Sequence, residues 1–83
     1  MIWHKGLDCY ITDHRGYHAK IEEVKSGLRK GEWWYEISRN DVRLIGNFRS
    51  SIEDAKARAE EVLMWHGLDQ FYNHVTVEQE YEV

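Results

Sequence analysis

The chain has no proline, a single cysteine and no apolar run approaching the ~18 residues a membrane-crossing helix needs. Each absence excludes something. Without proline or a Gly/Ser-rich stretch, nothing reads as a linker, so residues 1–83 are expected to form one domain. With Cys9 alone, no intrachain disulfide can form, which argues against a disulfide-stapled secreted miniprotein. No basic leader followed by an apolar stretch opens the sequence, so a cytoplasmic location is expected. No internal repeat and no low-complexity tract appears. A basic excess is also missing. Fifteen acids against 11 bases give a formal charge of -4, which weighs against sequence-independent nucleic-acid binding and against anionic membranes.

What is present suits a small folded globule. Hydrophobic residues make up 42% and charged residues 31%, which separates the chain from disordered tails. Four Trp and five Tyr let a small core bury more area per residue.

Hairpin-then-helix patterning dominates. Leu7, Cys9 and Ile11 alternate with polar neighbours, and Asp13 to Gly16 is turn chemistry. Tyr17, Ala19 and Ile21 then alternate with His18, Lys20 and Glu22. Pairing Ile11 with Tyr17, Cys9 with Ala19 and Leu7 with Ile21 puts the apolar residues on one face. A polar loop from Lys25 to Gly31 follows. Trp33, Tyr35 and Ile37 then point one way and Trp34, Glu36 and Ser38 the other. Asn40-Asp41 fits a two-residue type I′ turn, predicting pairs Ile37–Leu44, Tyr35–Gly46 and Trp33–Phe48. Gly46 leaves room for the Tyr35 ring or an overlying helix.

Ser50 with Glu53, or Ser51 with Asp54, has the spacing of a helix cap. Ile52, Ala55, Ala59, Val62, Leu63 and His66 recur at helical spacing, and Gly67 is a candidate C′ residue. Leu68 to His74 reads either as a helical turn or as an irregular return. Val75, Val77, Tyr81 and Val83 alternate with Thr76, Glu78, Glu80 and Glu82, predicting a final edge strand. Met1 to Lys5, with Trp3, reads as a short strand or an arm. The expected fold is α+β: an antiparallel sheet of four to five strands with one main helix packed on one face.

No constellation carries a catalytic signature, and neither a metal nor a cofactor is expected. Cys9, His14 and His18, with Asp13, lack the paired short spacings of a zinc site. His66, which Asp69 could orient, has no nucleophile placed beside it by any motif, and neither does His74. The outer face of the sheet is more informative. It is expected to carry Tyr10, His18, Lys20, Trp34, Glu36, Ile45 and Asn47. Trp34 beside Tyr10 and Ile45, rimmed by charges such as Glu36, has the composition of a protein-binding patch. Cover by the termini or a homodimer is the competing account. Glu78, Glu80 and Glu82 on one side of a strand would form a row of carboxylates ~6.6 Å apart that imitates a nucleic-acid backbone, or simply a solvated edge.

The stretch Gly46, then Ser51-Ile52-Glu53-Asp54-Ala55-Lys56, resembles the end of a double-stranded-RNA-binding domain, which runs Ser-Lys-Lys-x-Ala-Lys into its last helix. The family's two phosphate-gripping lysines are replaced here by Ile52 and Glu53, and a carboxylate at a helix start repels phosphate. In size, charge and architecture the chain also resembles small phage-encoded host-takeover proteins, anti-CRISPR inhibitors among them. That resemblance implies a non-enzymatic inhibitor or adaptor in the host cytoplasm. It would bind a host nuclease or surveillance complex through a protein–protein contact. The alternative is a nucleic-acid-binding domain acting through Lys25, Arg29, Lys30, Arg39 and Arg43.

Overall fold

The computed structural model describes residues 1–81, with side chains described as far as Val77. Five antiparallel strands form one sheet in chain order: β1 (His4–Lys5), β2 (Cys9–His14), β3 (Tyr17–Glu23), β4 (Trp33–Arg39) and β5 (Val42–Arg49). Two helices follow, α1 (Ile52–Leu63) and α2 (Leu68–Tyr81). The α+β class holds, with a second helix where a final edge strand was expected.

The core lies between the sheet and α1. Tyr17, Ala19 and Ile21 of β3 and Tyr35 and Ile37 of β4 meet Ala55, Ala59, Val62 and Leu63 of α1, and Leu68 closes one end. The alanines let α1 sit close to the strands, so the larger Tyr and Ile side chains fill the space. Ser51 starts the helix: its Oγ accepts the Asp54 N–H at 3.1 Å, which selects the Ser51–Asp54 frame over Ser50–Glu53. Met64, not Gly67, closes the helix, because its N–H still reaches the Glu60 carbonyl. His66 lies beyond that end and is exposed rather than on the apolar stripe.

Two hairpins depart from the expected register. The β2–β3 turn is only two residues, Arg15 and Gly16, with φ of 55° and 85°. His14 therefore pairs with Tyr17, Thr12 with Ala19 and Tyr10 with Ile21. This differs from the Ile11–Tyr17 register by an odd number of residues, and an odd slip turns every side chain of the strand over. Tyr10 and Thr12 consequently face the core, Cys9 and Ile11 face outward, and Leu7 is 93% exposed.

The β4–β5 turn is the expected Asn40-Asp41, with φ of 51° and 65°. Ladder pairs Arg39–Val42 and Ser38–Arg43 follow from it, but a bulge then inserts Leu44, so Ile37 pairs with Ile45. Beyond the bulge, Glu36 pairs with Gly46, Tyr35 with Asn47 and Trp34 with Phe48. Ile45 thus joins the core side, and Phe48 moves to the outer face beside Trp34. Trp33 packs half-buried at the core margin.

The C-terminal strand is replaced by α2. Val75 and Val77 alternate, but Leu68, Tyr72 and Val75 also recur at helical spacing, and tertiary contacts favour that second reading: Leu68 is fully buried and Tyr72 packs against the core. Glu78 and Glu80 therefore sit on a helical backbone rather than on the expected edge strand. Glu82 and Val83 lie outside the described residues. Among the described residues no helix is long and apolar enough to cross a membrane.

Candidate functional site

Both helices lie on the inner side of the sheet, so among the described residues no element covers the outer face. Trp34 stands on it near the start of β4, beside the edge strand β5. Alternation along β4 sends Tyr35 inward and Trp34 outward, as expected from the adjacent tryptophans. Its ring meets Phe48 edge-on, with centroids 4.9 Å apart and planes at 62°. Its indole Nε1 donates to Glu36 Oε1 at 3.0 Å.

Gly46 makes this pose achievable. A Cβ there would lie 2.5 Å from Cζ2 of the Trp34 ring, so only glycine lets the indole lie flat on β5. The glycine serves the outer ring and not, as expected from the sequence, the Tyr35 ring or a helix. Cations frame the two rings. The Arg43 guanidinium lies 5.6 Å from the Trp34 ring centroid, and Arg29, from the β3–β4 loop, lies 4.4 Å from that of Phe48. Lys20 sits 3.8 Å from Glu22 and 4.0 Å from Glu36. A shallow groove results, lined by Glu22, Glu23, Trp34, Glu36, Arg43 and Phe48. It offers half-buried aromatic area inside a rim of both charges and has no positioned nucleophile.

Of the expected patch, Trp34 and Glu36 are in place. Tyr10 is not: its ring faces α1, with Lys56 Nζ 4.6 Å from its centroid. Ile45 lies on the helix side for the bulge reason given above. Phe48 and Arg43 replace them. The signal that could have found Phe48 is the mid-strand glycine, which marks a bulge or a close approach, and Arg43 follows from the turn itself, opposite Ser38.

A second cluster lies at the turn end of the sheet. Asp69, in the first turn of α2, accepts a short hydrogen bond from the Tyr17 hydroxyl and a 2.9 Å bond from Arg15 Nη2. Arg39 lies over the Tyr17 and Tyr72 rings, at 5.0 and 4.9 Å, and donates to the Tyr17 hydroxyl at 3.3 Å. Asn40 Nδ2 donates to the Tyr72 hydroxyl at 2.9 Å. Burial first, then the bond to Asp69, raises the Tyr17 hydroxyl above its ordinary pKa. The same bond, with Arg15 and Arg39 nearby, holds Asp69 below the usual carboxylate range. A tyrosine kept protonated and a carboxylate kept charged make an anchor for α2, not an acid–base pair. Asp69 is thereby committed to Tyr17 and Arg15 rather than to His66.

The remaining candidates do not converge. Cys9 pairs with Glu22 and His18 with Asp13, which puts them four residues apart along the sheet. His18 Nδ1 contacts Asp13 at 2.8 Å. Among the described residues no group of three or more His, Cys, Asp or Glu side chains is placed to hold a metal. The basic set is also dispersed: Lys25 contacts Asp8 at 3.2 Å, Arg39 faces inward, and Arg29 and Arg43 reach the outer face. At the start of α1, where the RNA-binding resemblance would want lysines, Glu53 and Asp54 occupy the first turn and Asp54 pairs with Arg49 at 3.1 Å. Comparison with known proteins gives no match: no family model, no curated protein and no solved structure.

Proposed function

We propose that this domain is a non-enzymatic protein-binding module, an inhibitor or adaptor, that engages its partner through the outer sheet face with Trp34 as anchor. The observation that supports the reading is the Trp34–Phe48 pair, which lies half-buried on a face that no described element covers. Large aromatic side chains ringed by mixed charge are the usual centre of protein interfaces, and a partner covering this groove would complete the desolvation of both rings. The resemblance to phage-encoded inhibitors suggests the class of partner: a host nuclease or surveillance complex.

Capture from a bacterial lysate on wild-type protein, with Trp34→Ala as the control, tests the proposal. A partner retained by wild type should lose about 2 kcal/mol or more of binding to Trp34→Ala, mainly through faster dissociation. Equal retention by both proteins would overturn the reading. One observation favours nucleic acid instead: Arg43 and Arg29 stand over half-buried rings, as cations and stacking surfaces do in single-strand binders. Glu22, Glu23 and Glu36 line the same groove and oppose a phosphate backbone, so the protein reading is preferred.

A further inference from the structure

The two edges of the sheet are unequal. β1 is two residues long and offers little to pair with, whereas β5 is eight residues long and pairs only with β4. A long edge is normally blunted by proline, lysine, an inward charge or a bulge; β5 carries neither of the first two, and its bulge is confined to the turn-proximal end at Leu44. Gly46 and Asn47 in its middle are exposed. One donor there is closed within the chain, the Phe48 N–H to Asn47 Oδ1 at 2.8 Å.

Below this edge, on the helix side, lies a groove of about 520 Å³ lined by Ile45, Arg58, Glu61, Val62, Trp65 and Phe71. Trp65 at its rim is 48% exposed and leans on Phe71 at 6.1 Å, and the neighbouring Met64 is 58% exposed. A sixth strand laid along β5 would place alternate side chains over this groove. The pattern of charge says whose strand it is. Arg58 and Glu61 lie one turn apart on α1, with Arg58 Nη1 3.6 Å from Glu61 Oε2 and the two side chains 43% and 71% exposed. A two-fold axis reverses the order of residues, so Arg58 of one copy meets Glu61 of the other and the reverse. A neutral patch with one charge of each sign is self-complementary under that symmetry.

We propose that two copies of this chain associate through β5 about a two-fold axis, joining their sheets edge to edge and closing the Trp65 groove of each against the other. The axis of such a pair stands perpendicular to the sheet, so both Trp34 faces stay open on the same side. The dimer is thus independent of the partner-binding proposal and would make that face bivalent.

Sedimentation of the full chain from roughly 5 to 200 micromolar tests this, because mass action must populate the dimer as concentration rises. The expected result is a rise from the 10.0 kDa chain mass towards twice that value. Glu61→Arg should weaken the dimer about tenfold or more, since it sets like charges against each other. Arg58→Glu should do the same, and a mixture of the two variants should restore association. Should Arg58→Glu fail to fold, Trp65→Ser replaces it, with the same loss of dimer expected. Trp34→Ala should associate like wild type. A mass of 10.0 kDa throughout overturns the proposal. So does a dimer unaffected by Glu61→Arg or Trp65→Ser, or one abolished by Trp34→Ala, which would place the second copy on the outer face instead.

Discussion

Gly46→Ala probes the packing that exposes Trp34. The added methyl would lie 2.5 Å from Cζ2 and 2.8 Å from Cη2 of the indole. Carbon atoms rest at about 3.5–4 Å, so the ring must move by roughly an ångström or more. It is half-buried and can lift outward. Lifting it forfeits the edge contact with Phe48, about 0.5–1.5 kcal/mol, and the bond to Glu36, about 0.5–1.5 kcal/mol. Against this, alanine in a strand is favoured over glycine by about 0.5–1 kcal/mol. The net expectation is a loss of ~1 kcal/mol in wild type. In a Trp34→Ala background the obstruction is gone, and the same substitution should stabilise by about 0.5–1 kcal/mol. The sign reverses, giving a coupling energy of ~2 kcal/mol.

Urea unfolding of the four proteins measures this cycle. With a slope near 1 kcal/mol/M for so small a domain, Gly46→Ala should lower the midpoint by about 1 M in wild type and raise it by about 0.5–1 M in the Trp34→Ala background. If Gly46→Ala shifts the midpoint equally in both backgrounds, to within about 0.5 kcal/mol, the Trp34 ring does not lie on Gly46 and the described outer face is wrong.

Other substitutions read other parts of the fold. Tyr17→Phe removes the hydroxyl that binds Asp69 and Arg39 and should cost about 1 kcal/mol in a thermal or urea melt. Because Asp69 is held below the usual carboxylate range, its stabilisation is complete above the ordinary carboxylate pKa and is lost as pH falls through the lowered native value; Asp69→Asn should flatten that acid limb. Tyr17 is raised, so its stabilisation is complete below the ordinary tyrosine pKa and is lost as pH climbs through the raised native value, and Tyr17→Phe should flatten the alkaline limb of a stability profile. Leu68→Ala should cost about 2–5 kcal/mol, whereas Leu7→Ala, at a side chain 93% exposed, should stay within about 0.5 kcal/mol. Electrophoretic mobility of duplex RNA or DNA should be unchanged by low-micromolar protein at about 150 mM salt, and a retarded band would revive the nucleic-acid reading.

Local chemistry was readable in the sequence wherever one element decides its own shape. The Asn40-Asp41 turn, the inward Tyr35 and Ile37, the capped helix from Ile52 and the outward Trp34 all follow from residue type and period. What was not readable depends on how two elements meet. The length of the β2–β3 turn sets which face Tyr10 joins, and Asp13-His14-Arg15-Gly16 supports more than one length. The Val75–Val77 alternation is compatible with strand and helix, and only the burial of Leu68 and the anchoring of Asp69 by Tyr17, Arg15 and Arg39 decide between them. Of the expected site, Trp34 and Glu36 were legible and Phe48 was not, because it is brought in by a bulge, whereas Arg43 keeps the pairing with Ser38 that the turn sets.

That bulge explains both surfaces of β5. Had the register set by the Asn40-Asp41 turn continued unbroken, Leu44, Gly46 and Phe48 would oppose Ile37, Tyr35 and Trp33 on the core face. Phe48 would then be covered by α1, and Trp34 would stand without an aromatic neighbour. The extra residue at Leu44 shifts everything after it by one position, and a shift of one exchanges the two faces of a strand. Phe48 moves out beside Trp34, and Gly46 comes under the Trp34 ring. Ile45 moves in, where it lines the groove with Val62, Trp65 and Phe71. The edge backbone from Ile45 to Arg49 stays regular, because the irregularity is confined to the turn-proximal end. One inserted residue therefore places an aromatic pair on one face, an apolar groove on the other and a pairable edge between them. Deleting Leu44 should remove the bulge and keep all three, because Ile45 then follows Arg43 directly and meets Ile37, and a variant that loses the Trp34 contact with Phe48 after that deletion would show the register to be set elsewhere.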